Sequence, residues 1–243
     1  MNLRLLIFIS VFSWGVFALA QPQEDERINR DADNPIAPPP SVTLRQSFQP
    51  GAWNPGQEDR SFLALVPAIP YSAFGRLHLV RFIVPYHQRP QRGLGDVQIL
   101  NLTGPRTDWG LWAVGLSANL KAARGGDETF QLGPAGGFNT QQGSWTLGFF
   151  MQNFIGARES FSIFQPVVNW QIDSTWALSL SDDLFTLDWT SGRWVSTPAG
   201  LQIAKLVRVR EQPLRLFASA YYESTRPAWG AAVGLTLIVA PHP

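Results

Sequence analysis

Residues able to do covalent or acid–base chemistry are scarce in this chain, and their spacing works against it. None of the 243 residues is a cysteine, so no disulfide, thiolate metal site or thiol nucleophile can form. The three histidines, His78, His87 and His242, stand at no metal-ligand spacing from one another and have no carboxylate cluster beside them. A hydrolase built on a strand would need serine and histidine on one face. The same-face neighbours of His78 are instead Arg76 and Val80. Asp182 and Asp183 are adjacent, so on a strand they face opposite sides and cannot flank one scissile bond. Gly93-Leu94-Gly95 lacks the third glycine and following helix of a phosphate loop and reads as a turn entering a strand. The expectation is a protein with no catalytic residue, no metal and no cofactor: not an enzyme.

What remains is a set of polar side chains spaced along strand-like segments: Arg81, Asp96, Gln98, Gln131, Gln152, Gln165, Asn169, Asp182, Asp188 and Gln202. Turned inward in a closed sheet they would line a path for a solute. Their charges are few and of both signs, which disfavours a strongly ion-selective pore. Phe150 and Phe217 share the inward side and would narrow it. A narrow mixed path suits a small neutral solute, whereas a filled lumen suits no transport, and the residues allow both.

These side chains need elements of period two to position them, and from residue 42 onward that period dominates. Ala231, Val233, Leu235, Leu237 and Val239 alternate with Gly230, Ala232, Gly234 and Thr236; Trp145, Leu147, Phe149 and Met151 alternate with Ser144, Thr146, Gly148 and Gln152. Turn signals such as Gly104-Pro105, Gln142-Gly143, Ser191-Gly192 and Gln212-Pro213 separate the segments. The pattern predicts about twelve strands, an even number as single-chain bacterial barrels require. Their expected spans are 42–49, 61–69, 75–86, 94–103, 108–118, 128–138, 144–155, 159–171, 175–189, 194–208, 213–223 and 229–239. Within 175–189 the apolar parity changes, and a β-bulge near Asp182-Asp183 would keep both apolar rows on one side. Long and short connections alternate over the first half.

The mixed faces are mostly Gly, Ser, Thr, Gln and Asn, poorer in charge than the polar face of a soluble sandwich. Trp109, Trp145, Trp170, Trp176, Trp189, Trp194, Trp229 and Tyr86 gather near strand ends, as an interfacial girdle would have them. The fold expected is therefore all-β, an antiparallel up-and-down transmembrane β-barrel. A formal charge of +1 argues against an electrostatic nucleic-acid partner. Residues 1–20, with Arg4, the apolar run Leu5 to Ala18 and Ala18-Leu19-Ala20, read as a signal peptide cleaved after Ala20. Residues 21–41, acidic and then proline-rich, read as a disordered linker. An N-terminal plug is the alternative, disfavoured because the segment offers little apolar surface to pack. Residues 42–243 form the barrel. The expected location is the cell outer membrane. Partners there are its lipid and lipopolysaccharide, together with a small-molecule solute. The basic loop of His87, Arg89 and Arg92 reads first as a solvated loop, with anionic headgroups or lipopolysaccharide phosphates as its alternative contact.

An ordered series of motifs adds a resemblance. Gly93-Leu94-Gly95-Asp96, Leu132-Gly133-Pro134-Ala135, Gly143-Ser144-Trp145-Thr146-Leu147-Gly148, Phe164-Gln165-Pro166-Val167, Leu187-Asp188-Trp189 and Trp194-Val195-Ser196-Thr197-Pro198 recur in order across residues 42–239. In them the chain resembles the bacterial outer-membrane transporter family of the phenol meta-degradation pathway type, some members of which are mislabelled neuromedin U. The resemblance implies a transmembrane barrel and a passive channel or transporter for small molecules, hydrophobic or aromatic ones among them. The chain departs from it in short loops and in ending Ala240-Pro241-His242-Pro243 where such barrels commonly present a terminal aromatic. Two other functions fit the same pattern: a non-transporting structural outer-membrane barrel and a soluble periplasmic small-molecule-binding β-barrel.

Overall fold

Segments with one apolar and one mixed face can satisfy every backbone amide inside hydrocarbon only by pairing around a closed ring. That ring is present in the computed structural model, which describes residues 22–121, 130–181 and 184–239. Twelve antiparallel strands form a closed barrel, each bonded to the next in sequence and the last to the first. They are β1 (Ser41–Gln49), β2 (Arg60–Ala73), β3 (Arg76–Arg89), β4 (Val97–Thr103), β5 (Gly110–Leu120), β6 (Phe130–Gln142), β7 (Trp145–Ile155), β8 (Ser160–Gln171), β9 (Trp176–Leu180 and Phe185–Asp188), β10 (Arg193–Ser196 and Pro198–Val209), β11 (Gln212–Glu223) and β12 (Ala228–Ile238). The strand count and the strand positions read from the period-two pattern match this ring, with differences only at strand ends.

β1 begins and β12 ends at the same mouth, where Ser41 faces Ile238. The two-residue connections among the described residues are all on that side. β2 passes to β3 through Phe74 and Gly75, both at positive φ (51° and 70°), and β10 passes to β11 through Arg210 and Glu211, likewise at positive φ. On the opposite side the chain takes wider paths, as between β1 and β2, where residues 50–59 fold over the start of β12: Asn54 donates to the Trp229 carbonyl at 2.9 Å and accepts from the Trp229 N–H at 2.6 Å. Tight turns at one end and wider loops at the other follow the periplasmic and external rule of such barrels. The first is called here the turn side and the second the loop side.

Side chains sort by parity as expected. On β6, Gln131, Gly133, Ala135, Gly137 and Asn139 are buried toward the lumen, while Phe130 and Leu132 are exposed on the outer wall. The phase slip in β9 is real. Asn169 of β8 faces Ser179, but Phe161 faces Asp188, so the ladder moves on by one residue between the two segments of β9. Trp176, Leu178 and Leu180 thereby share the outer wall with Phe185. Asp182 and Asp183, proposed as the site of the bulge, lie outside the described residues, as do residues 1–20 with the expected signal peptide.

Residues 21–41 differ from expectation. Pro22–Ala32 form a helix, α1, rather than a disordered linker. Pro22 opens it, where a missing N–H costs nothing. Glu24 and Asp25 lie in its first turn and Arg30 in its last, complementing the helix dipole. The helix and the stretch after it lie within the turn-side half of the barrel: Asp25, Ile28, Asn29, Asn34 and Ile36 are all buried. Apolar packing contributes at two places. Ile28 packs with Leu206 and Ile238, and Ile36 enters a cluster with Leu79, Leu100, Leu102, Ala113 and Phe150. The expectation failed because it asked for an apolar docking face, whereas the lumen wall is polar and binds the segment through charges and amides.

Candidate functional site

The two lumen-facing arginines of the turn-side half dominate the interior. Arg208 near the end of β10 and Arg215 in β11 sit on inward parity with Gln202 and Phe217. Each receives an acid from the N-terminal segment. Asp25, Asn29 and Asp33 are spaced four apart, which places them along one line of the helix and its extension. Arg208 donates to Asp25 Oδ1 from Nε at 2.8 Å and from Nη2 at 2.5 Å. Arg215 pairs with Asp33 through Nη2 and donates from Nε to Asn29 Oδ1 at 3.0 Å. The Arg215 and Asp33 side chains are 3% and 6% exposed, so this pair is held out of water.

Asp33 gathers donors from three strands. Besides Arg215 it accepts from Asn169 Nδ2 of β8 at 2.7 Å and from Gln202 Nε2 of β10 at 3.3 Å. The carbonyl oxygens of both amides, Asn169 Oδ1 and Gln202 Oε1, are buried with no hydrogen-bond partner among the described residues. Farther along the segment, Asn139 of β6 donates to Asn34 Oδ1 at 2.7 Å. Asn34 Oδ1 also accepts from the N–H groups of Ile36 and Ala37 and turns the chain toward β1.

The expected lumen residues fall into three groups. Asn169 and Gln202 belong to the Asp33 cradle. Arg81, Gln98 and Gln152 meet Ile83 and Leu100 in mid-barrel, where these side chains leave essentially no free volume; Gln165 is buried on the same inner wall. Asp96 and Gln131 meet at the loop-side mouth. There Asn119 donates to Gln131 Oε1 at 2.8 Å, and Lys121 lies 3.7 Å from Asp96 and 2.8 Å from Glu159. Asp188 stands apart from all three, since its carboxylate accepts from Thr190 N–H and Ser191 Oγ and closes the β9–β10 turn. Asp182 lies outside the described residues.

Sequence reasoning missed Asp25, Asn29, Asp33, Arg208 and Arg215. Two signals could have found them: the four-residue spacing of the acids, and two arginines at lumen parity on neighbouring strands of a sparsely charged chain.

Between the N-terminal segment and the wall of β3 to β5, on the turn side, lies a cleft of about 330 Å³. Ile28, Ile36, Pro39, Leu79 and Leu102 supply apolar lining, and Glu24, Arg27, Asp31 and Arg106 its charges. Burial pushes the Asp31 carboxyl above its ordinary range, against the opposing pull of Arg30, Arg106 and Arg27. On the outer wall near the same mouth, His78 stacks on Tyr71, with ring centroids 5.1 Å apart, and Asn101 donates to the Tyr71 hydroxyl at 2.9 Å. The cross-strand neighbours of His78 are Tyr71 and Thr103 rather than a serine.

A closed antiparallel ring, apolar outside and polar inside, has the architecture of an outer-membrane β-barrel. No family model and no curated protein matches the chain. Among solved structures it is similar to the KdgM porin, with a TM-score of 0.54 at 7% identity, covering 83% of this chain and 99% of that one. It is also similar to the outer membrane phospholipase A from Escherichia coli, with a TM-score of 0.50 at 10% identity, covering 82% and 97%. At such identities the likeness is one of fold: one neighbour is a porin and the other an enzyme.

Proposed function

We propose that this protein is an outer-membrane channel for small solutes, seen with residues 22–40 filling the turn-side half of its lumen. The observation that carries the reading is how that lumen is filled. Wall side chains meet in mid-barrel, but the turn-side half is not filled by the wall. A terminal segment occupies it, held by ion pairs and amide contacts to a polar wall, and polar contacts of this kind can be exchanged for water or for a solute that offers the same charges and amides. The outer wall supports the location: it exposes Leu65, Ile69, Val114, Leu116, Leu201 and Ile203, and a lipid surface covers them. In this reading lipid, with lipopolysaccharide on the loop side, is the partner. The solute class follows from the sequence resemblance, small molecules with hydrophobic and aromatic ones included.

Planar-bilayer recording and liposome uptake test the reading. Wild-type protein is expected to show low, flickering conductance, and an Asp25→Asn, Asp33→Asn double variant a larger and more persistent one. No current and no uptake from either protein, both shown to be folded and inserted, would leave a barrel with a structural role only.

A further inference from the structure

The Asp33 carboxylate is bound as a ligand would be. Three donors from three non-local elements converge on it: the guanidinium of Arg215, the Asn169 amide at 2.7 Å and the Gln202 amide at 3.3 Å. Arg215 is 2% exposed, Asn169 2% and Gln202 1%, so the cradle belongs to the rigid barrel and is shielded from bulk water. Asp33 comes from a different body, the N-terminal segment, which hangs on the wall at a few points. The orphaned oxygens Asn169 Oδ1 and Gln202 Oε1 lie in the same cradle and remain able to accept from a hydroxyl or amide N–H.

We propose that Arg215, Asn169 and Gln202 form a binding site for the carboxylate of a small organic acid, and that Asp33 is a built-in stand-in occupying it while the segment is docked. When the segment withdraws, Arg215 loses its counter-charge, and the cradle presents a charge-assisted donor set to a carboxylate arriving in the lumen. The two amide oxygens then take donors elsewhere on the solute, which favours hydroxy or amino acids over simple alkanoates. Arg208 is uncovered by the same movement, because its acids Asp25 and Glu24 leave with α1. The inference deepens the channel reading and rests on it for passage of the solute; binding at the cradle stands independently of whether current flows.

Removing the stand-in tests this. Full-length Asp33→Ala protein in detergent is heated with acetate, with acetamide and with chloride at matched ionic strength, and the folded fraction is read from heat-dependent gel migration. Acetate at about tenfold over its dissociation constant is expected to raise the midpoint by about 3–6 °C, saturably. Acetamide and chloride are expected to do nothing, and an Asp33→Ala, Arg215→Gln double variant to be silent to all three. Lactate, which carries a hydroxyl, should saturate at lower concentration than acetate. Asp33→Ser, which also vacates the carboxylate position, is run in parallel, so that a poorly folding alanine variant does not end the test. Equal response to acetate and chloride, or no response in a folded variant of either kind, overturns the cradle. Bilayer recordings on the same variants separate the two claims. Absence of current with acetate rescue intact removes the channel but keeps the site; current without rescue does the reverse.

Discussion

Arg208 and Arg215 make similar contacts but differ in burial, and that difference sets their consequences. Breaking a buried pair by removing one partner strands the other charge and costs about 3–5 kcal/mol, whereas a pair in contact with water recovers most of its loss through hydration. The Arg215 side chain is 3% exposed and its acid 6%; Arg208 is 16% exposed and also donates to the Glu211 carbonyl on its own turn. Asp25, the acid of Arg208, is 4% exposed but lies in the first turn of α1, where the helix dipole goes on stabilising its charge once Arg208 is gone. Arg215→Ala is therefore expected to free the N-terminal segment, and Arg208→Ala to loosen it only partly. Spin-label mobility at an introduced cysteine checks this, for instance in Glu26→Cys, with no native cysteine to compete. Asp31 adds a dependence on pH. Its carboxyl is raised when docked, so the docked form holds the proton more tightly than the withdrawn form. Its contribution to docking is thus fully present at low pH and is lost as pH rises from the ordinary value of 3.8 through the raised one. Asp31→Asn should flatten that part of the profile. If wild-type and variant mobility change in parallel with pH, Asp31 is not the group responsible.

Among the elements, α1 is the one whose presence decides whether the turn-side half of the lumen is filled. Its acids reach Arg208 and Arg215 only if residues 25, 29 and 33 stay aligned, and that alignment exists only while the helix is intact. Ile28→Pro removes a helical hydrogen bond at the centre of Pro22–Ala32, at a cost of about 3 kcal/mol. It is expected to raise conductance severalfold while leaving heat-dependent gel migration of the barrel unchanged; loss of that migration would mean that α1 is part of the folding core. The strands themselves were legible because period two is a local signal. Phe130 and Leu132 on one side of β6 and Gln131 and Gly133 on the other declare both the element and its orientation. The slip in β9 was legible for the same reason, since parity changes between Leu180 and Phe185. The docking of α1 was not, because it depends on which lumen residues lie opposite. Asn169 and Gln202 could be recognised as inward but not as partners of Asp33, which lies 136 and 169 residues away.

For the whole molecule, the two mouths must also be the two edges of the lipid, and the tryptophans make that measurable. Trp109, Trp112, Trp145, Trp170 and Trp176 sit at the turn side, and Trp189, Trp194 and Trp229 at the loop side, and six of the eight are at least 39% exposed. They pair across strands, as in the stack of Trp145 on Trp170 at 5.8 Å, and Lys205 lies 4.7 Å above the Trp176 ring, a lysine reaching from the wall toward the interface. Such rings prefer headgroup level, where one end is apolar and the other wet. Between the two bands the outer wall is aliphatic and phenylalanine-rich, with Leu116, Leu132, Phe149, Met151 and Leu201 exposed. In vesicles of brominated lipid, tryptophan emission should be quenched more by bromine near the headgroup than by bromine at the chain ends, because the rings lie at both rims and away from the midplane. A soluble binding barrel would keep its emission in both lipids. A barrel inserted at a steep tilt would bring rings of one rim toward the midplane and equalise the two signals, so the ratio reports insertion and orientation together.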